Sequence, residues 1–253
     1  RGWIVRRFGI ESLPFYVVPM ILATYIHLFT GSIILALFPA VNELLGEPEK
    51  LAELYRKTSK LILILIVFTV LSAIIGGRLF LALWINEAFA ESAYWLLVIH
   101  VFTFAILAMA TAAWLVAESF KFAAINALAT FVWLIISIPL MLTLSGSLQE
   151  KGVAIGRLIG VLVFIPLILY VEKRFIGGVM IRFWRMIAIK IFLAAIFAVV
   201  TEMLILSMLQ PSWWTFFTSI AVGLAIYTAI LTVTGIFEPD EKQLLRNMFV
   251  KFR

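Results

Sequence analysis

Apolar residues in this chain fall neither in strict alternation nor in narrow helical stripes. They come as long runs broken by short polar connections. A helix rising about 1.5 Å per residue needs about 20 such residues to cross a hydrocarbon layer of about 30 Å. The pattern therefore predicts an all-α fold, a polytopic transmembrane bundle of seven spans at residues 13–45, 61–84, 93–116, 122–144, 153–171, 186–209 and 213–237. The first span is longer than a crossing requires and carries Pro14, Pro19 and Pro39, which predicts tilt or kinks. The fifth is expected to kink at Pro166, and only Gln210-Pro211-Ser212 separates the last two. No polar, self-sufficient segment interrupts the runs, so residues 1–253 read as one membrane domain.

Two connections carry a different signal. In residues 47–60, Leu51, Leu54 and Tyr55 recur at helical spacing among Glu49, Lys50, Glu53, Arg56 and Lys57, the pattern of an amphipathic helix lying on the membrane interface. Residues 175–184, where Arg182 flanks Phe183 and Trp184, suggest a similar role. Trp84, Trp95, Trp184, Trp213 and Trp214 fall near span ends, where tryptophan anchors helices in the headgroup layer.

Composition agrees: 64% of the residues are hydrophobic and 13% charged, with a mean hydropathy of +1.13, far from the balance of a soluble domain. The net charge of +6 sits in short clusters between apolar runs, which argues against nucleic acid as a partner. Without cysteine there are no disulfides, thiolate metal sites or cysteine nucleophiles. No nucleotide-binding glycine loop, HExxH or GxSxG is present, so neither catalytic residues, a metal nor a cofactor is expected.

Lys and Arg in short loops resist translocation and so set orientation. One side receives Lys50, Arg56, Lys57, Lys60, Lys121, Lys173, Arg174, Arg182, Arg185, Lys242, Arg246, Lys251 and Arg253; the other receives Lys151 with Arg1, Arg6 and Arg7. This places the carboxyl end in the cytoplasm and the amino end outside, in a cell membrane. An odd number of spans with an external amino end, and a start at Arg1, reads as a fragment whose upstream helices lie elsewhere.

Three stretches carry more than hydropathy: ALFPAVNEL (residues 36–44) leading into ELYRKTSK (53–60), then LWINEAFAESAYWLL (83–97), then AESFKFAAINAL (117–128). In this order they resemble the carboxyl-terminal half of polysaccharide and oligosaccharide-lipid flippases, of the multidrug/oligosaccharidyl-lipid/polysaccharide exporter superfamily. Pro39 and Ala40, the charged helix after them, and the acidic loop 86–92 match that family's plan. So do Lys121 with Asn126, and the glycine-rich Gly152 to Gly156. Asn86 stands where a glycine is common, Gln149 where a first glycine is usual, and Trp133 near the place of a second asparagine. The resemblance implies a two-lobe, alternating-access transporter of which this chain is the second lobe. It implies a polyprenyl-diphosphate-linked oligosaccharide as substrate, membrane lipid as surroundings, and a glycan polymerase or glycosyltransferases as partners.

Ionisable groups inside apolar runs are costly and are functional candidates for that reason. Tyr16, Met20, Thr24, His27 and Gly31 share one stripe of the first span, and Tyr16, Thr24 and His27 are candidates to line a substrate path. His100, with Thr103 and Thr111 on its face, is another; for both histidines a packed, bonded side chain is the plainer alternative. Arg78, a further path candidate, either presents its charge to an anionic sugar or diphosphate or snorkels outward. Arg157, one turn inside the fifth span and also a path candidate, either faces an external water-filled vestibule or snorkels. Lys190 reads as an interfacial anchor, and Glu118 with Lys121 as solvated turn residues. Glu202 is the carboxylate deepest in an apolar run and the candidate for ion coupling, although a single carboxylate supplies few ligands for a cation. Two other functions stay open: a cation-coupled multidrug antiporter of the same superfamily, and part of a membrane-embedded glycosyl- or acyltransferase.

Overall fold

The computed structural model describes residues 2–238, and among them all regular structure is helical. The helices are α1 (Gly2–Phe8), α2 (Leu13–Glu43), α3 (Pro48–Trp84), α4 (Glu87–Ser119), α5 (Ala123–Val161), α6 (Phe164–Phe175), α7 (Ile181–Met208) and α8 (Trp213–Val233), with a 3-10 turn at Ile10–Ser12. Six helical stretches among the described residues are long and apolar enough to cross a membrane. Their outward faces suit lipid: Phe131, Ile135, Ile189 and Ile196 are all more than half exposed, an arrangement stable where the solvent is hydrocarbon.

The fourth of these stretches, Ala123–Phe175, has 53 residues, about 80 Å if straight and well beyond one crossing. It is not straight. Gln149 sits at φ 52° and ψ −133°, outside the helical region, and the chain turns back there. A Cβ placed on Gly156 would stand 2.6 Å from the Met141 nitrogen, whereas residues fifteen apart on one straight helix are separated by about 22 Å. Residues 123–148 and 150–161 are thus antiparallel arms whose backbones touch where Gly152, Gly156 and Gly160 carry no side chain. Gln149 occupies the place where the resemblance predicts glycine, and its positive φ is the reason glycine suits it.

A second interruption falls at Leu162 and Val163, before α6. Pro166 cannot donate to the Leu162 carbonyl and its ring crowds it. The amide of Ile165 takes that carbonyl instead, at 3.0 Å, as the turn tightens. The kink expected at Pro166 therefore falls one turn upstream of the proline. By contrast, α2 continues through Pro19 and Pro39 without a break, and Pro14 lies in its first turn, where a missing N–H costs nothing.

Two predicted boundaries are corrected. Residues 47–60 do not form a separate helix: no helix breaker stands between Lys60 and Leu61, and α3 runs on through them. Their amphipathic character is real, since Leu51, Ala52 and Tyr55 are buried while Glu49, Lys50, Glu53 and Arg56 are exposed. Residues 175–184 do not form one interfacial helix either, because Gly177 (φ 95°) and Gly178 (φ 148°) break it between α6 and α7. Shorter signals are set by caps. The Asn86 side chain accepts the Phe89 amide at 2.8 Å and starts α4, and the Ser212 hydroxyl accepts the Thr215 amide at 3.1 Å and starts α8. The basic residues from Lys242 to Arg253 lie outside the described residues.

Where the apolar runs read as one domain, the chain divides into two compact units, Arg1–Met180 and Ile181–Arg253. In the first, α4 is the hub: α2, α3, α5 and α6 all pack on it, and its alanines at 105, 108, 110, 112, 113 and 117 are buried and let neighbours approach. In the second, α7 and α8 form a hairpin. Ala194, Ala195 and Ala198 of α7 and Ser219 and Gly223 of α8 are the small buried residues that bring its helices together.

Candidate functional site

The first compact unit contains two cavities that share a wall. One, of about 440 Å³, is lined by Tyr16 and Met20 of α2, by Trp133, Ser137 and Met141 on the first arm of α5, and by Val153 and Arg157 on the second. The hairpin at Gln149 brings Arg157 opposite Trp133. The guanidinium carbon of Arg157 lies 4.8 Å from the Phe104 ring centroid and 5.9 Å from that of Trp133, a cation held over aromatic faces. Tyr16 stands with it on the wall of the same cavity. No carboxylate among the described residues pairs with it. An unpaired cation within an apolar bundle is expensive, and an anion in this cavity would offset that cost. Only a few polar groups interrupt its otherwise apolar wall, a lining that suits an anionic group on an apolar body.

The other cavity, of about 420 Å³, is lined by His27 of α2, Leu107, Ala110, Thr111 and Trp114 of α4, Thr130 and Trp133 of α5, and Phe164 of α6. Trp133 forms the partition between the two. Its Nε1 is buried without an acceptor, as are the Ser137 hydroxyl and Nδ1 of His27. Both threonine hydroxyls are committed as donors to their own helices, Thr111 to Leu107 O at 3.1 Å and Thr130 to Asn126 O at 2.9 Å.

Of the residues singled out in the sequence, Tyr16 and Arg157 meet in the first cavity and His27 lines the second. Thr24 lies between them on α2 and donates to Met20 O at 2.7 Å, lining neither. His100 is fully buried beside Tyr16, edge to face with ring centroids 4.8 Å apart, and neither ring nitrogen has a partner. It packs behind the cavity without facing it. Arg78 is not brought to either cavity: it pairs with Glu87 at 2.5 Å across the turn between α3 and α4, both side chains more than half exposed. Glu202 belongs to the second compact unit, where it is buried against Gly223. Lys190 reaches Gly235 O at 3.3 Å near the end of α8.

Three residues outside the candidate set matter here. Trp133 divides the cavities. Glu118 is exposed at the end of α4, as a solvated turn residue should be, and it also accepts the Trp114 indole N–H at 2.6 Å. Glu172, fully buried, accepts the Met180 amide at 3.0 Å and the Tyr55 hydroxyl at 3.4 Å, tying α6, the following loop and α3 together. Trp133 was legible as a tryptophan far from any span end, whereas Glu172 stands beside Lys173 and Arg174 and reads as solvated. Asn126, conspicuous in the sequence after Lys121, is buried and donates to Trp114 O at 3.1 Å, pinning α5 to α4. Comparison with protein-family models, curated proteins and solved structures finds no match to this chain.

Proposed function

We propose that this chain acts in a membrane transporter that flips a polyprenyl-diphosphate-linked oligosaccharide across the cytoplasmic membrane, by alternating access, for cell-surface polysaccharide assembly. The observation that carries the reading is Arg157: a guanidinium without a carboxylate partner, facing a largely apolar cavity that Tyr16 also lines, and held over the Phe104 ring. A ligand with an anionic diphosphate on an apolar chain fits such a lining, since it neutralises the cation while its hydrocarbon stays in a hydrocarbon-like surrounding. The sequence resemblance supplies the sugar part of the reading, and the distribution of Lys and Arg supports a cytoplasmic carboxyl end. In this reading Arg157 holds the phosphates. A glycan polymerase or glycosyltransferases would work alongside.

Deleting the protein from its host and staining surface glycan tests this. Loss of surface polysaccharide, restored by the wild-type protein but not by Arg157→Gln at equal abundance, is the expected result. Unchanged surface glycan in the deletion contradicts the reading.

A further inference from the structure

The cavity on the far side of Trp133 has a chemistry of its own. Trp114, Trp133 and Phe164 enclose it, the Phe164 ring standing 6.2 Å from Trp114 and 5.7 Å from Trp133, tilted 35° to the first and 71° to the second. Two walls therefore meet at a steep angle around one corner. No lysine, arginine or carboxylate lines it. The hydroxyls of Thr111 and Thr130 already donate to backbone carbonyls, so toward the cavity they offer only lone pairs. A saccharide ring would leave most of its hydroxyls without partners here, and an anion would meet no cation among the lining residues. A group that is positively charged, bulky and needs no hydrogen bonds is what aromatic faces and oxygen lone pairs hold.

Trp114 strengthens that preference from outside the cavity. Its indole N–H donates to the Glu118 carboxylate at 2.6 Å, and a negative charge at the ring nitrogen pushes electron density into the face that a cation would meet. Trp133 is the weaker wall for a cation, because the Arg157 guanidinium already stands 5.9 Å from its ring.

We infer that the cavity between His27, Trp114 and Phe164 is a binding site for an alkylammonium group, separate from the cavity of Arg157. The inference needs no particular occupant of the Arg157 cavity, although an anion there would favour the site by offsetting the Arg157 charge.

Equilibrium dialysis of the full chain in lipid nanodiscs tests this, with radiolabelled benzyltrimethylammonium as probe and empty nanodiscs as the blank. Choline and its uncharged carbon isostere, 3,3-dimethylbutan-1-ol, serve as competitors. Choline is expected to displace the probe at about ten-fold lower concentration than the isostere. Trp114→Leu is expected to abolish that difference, and Glu118→Gln to shrink it several-fold, while Arg157→Gln leaves it unchanged or enlarges it. Equal displacement by the two competitors, or a preference that survives Trp114→Leu, overturns the inference. Should Trp114→Leu fail to fold, Trp114→Phe and Glu118→Gln decide: an undiminished preference in both overturns it. Because the readout is binding and not translocation, a protein that flips lipid-linked sugar yet ignores the cation sinks this inference alone, and the reverse sinks the flippase reading alone.

Discussion

Arg157 and Phe104 are joined by a cation–π contact of 4.8 Å between the second arm of α5 and the hub helix α4. The contact exists only because the chain reverses at Gln149, so the charge of the first cavity and the fold of the α5 hairpin are one problem. Replacing Arg157 by Gln removes the cation with little loss of volume. The expected result is at least a ten-fold drop in transport with the folded fraction unchanged by size exclusion. Arg157→Lys is expected to recover only part of the activity, since an ammonium loses the planar stacking on Phe104 and Trp133.

The hairpin itself predicts a steric limit. A Cβ on Gly156 would meet the backbone of Leu140 and Met141 at 2.6 to 2.9 Å, and backbone cannot rotate aside. Gly156→Val is expected to destabilise the protein by about 3 kcal/mol or more, as overpacking at a rigid contact does, read as a lowered thermal midpoint in detergent. An unchanged midpoint would mean that the arms do not touch.

Gln149 predicts the opposite sign. At φ 52° a glutamine pays a conformational penalty that glycine avoids. Gln149→Gly is expected to leave stability unchanged or raise it by about 1 kcal/mol, in the same melting experiment, whereas Gln149→Val is expected to lower it.

Glu172 predicts a local effect. Glu172→Ala leaves the half-buried Met180 amide without its acceptor, a loss of about 1 to 3 kcal/mol. Hydrogen exchange resolved to residues 176–180 is expected to quicken markedly, while α4, distant from that loop in sequence, keeps its protection.

His100 predicts tolerance. Buried, with neither ring nitrogen bonded and lining neither of the two cavities, it contributes packing, and His100→Leu, close in volume, is expected to preserve transport within about two-fold and stability within about 1.5 kcal/mol. A loss like that of Arg157→Gln would instead give His100 a direct part in the path.

The helices were legible because a membrane imposes one rule, apolar runs of sufficient length, and that rule acts locally along the chain. Tyr16, His27 and Arg157 were legible for the same reason: a polar group inside an apolar run stands out. The rest depended on which segments meet. The glycine-rich Gly152 to Gly156 entered only as part of the resemblance, and nothing local said that Met141 would lie against Gly156 or Ser137 against Gly160. Glu172 is bonded to a tyrosine 117 residues away, which no local pattern encodes. Arg78 looked like a path residue until Glu87, nine residues on, turned out to be its partner. The merging of residues 47–60 into α3 followed from the absence of any breaker at Lys60, a signal weaker than the change from polar to apolar composition that drew attention to the boundary.

The most direct test of the central reading is translocation of a fluorescent polyprenyl-diphosphate-linked oligosaccharide in liposomes reconstituted with the protein, followed by loss of outer-leaflet label to an impermeant quencher. The account predicts that wild-type protein exposes the inner pool to the quencher well above protein-free liposomes, and that Arg157→Gln returns the rate to the protein-free level. A wild-type rate no faster than that of protein-free liposomes would contradict it.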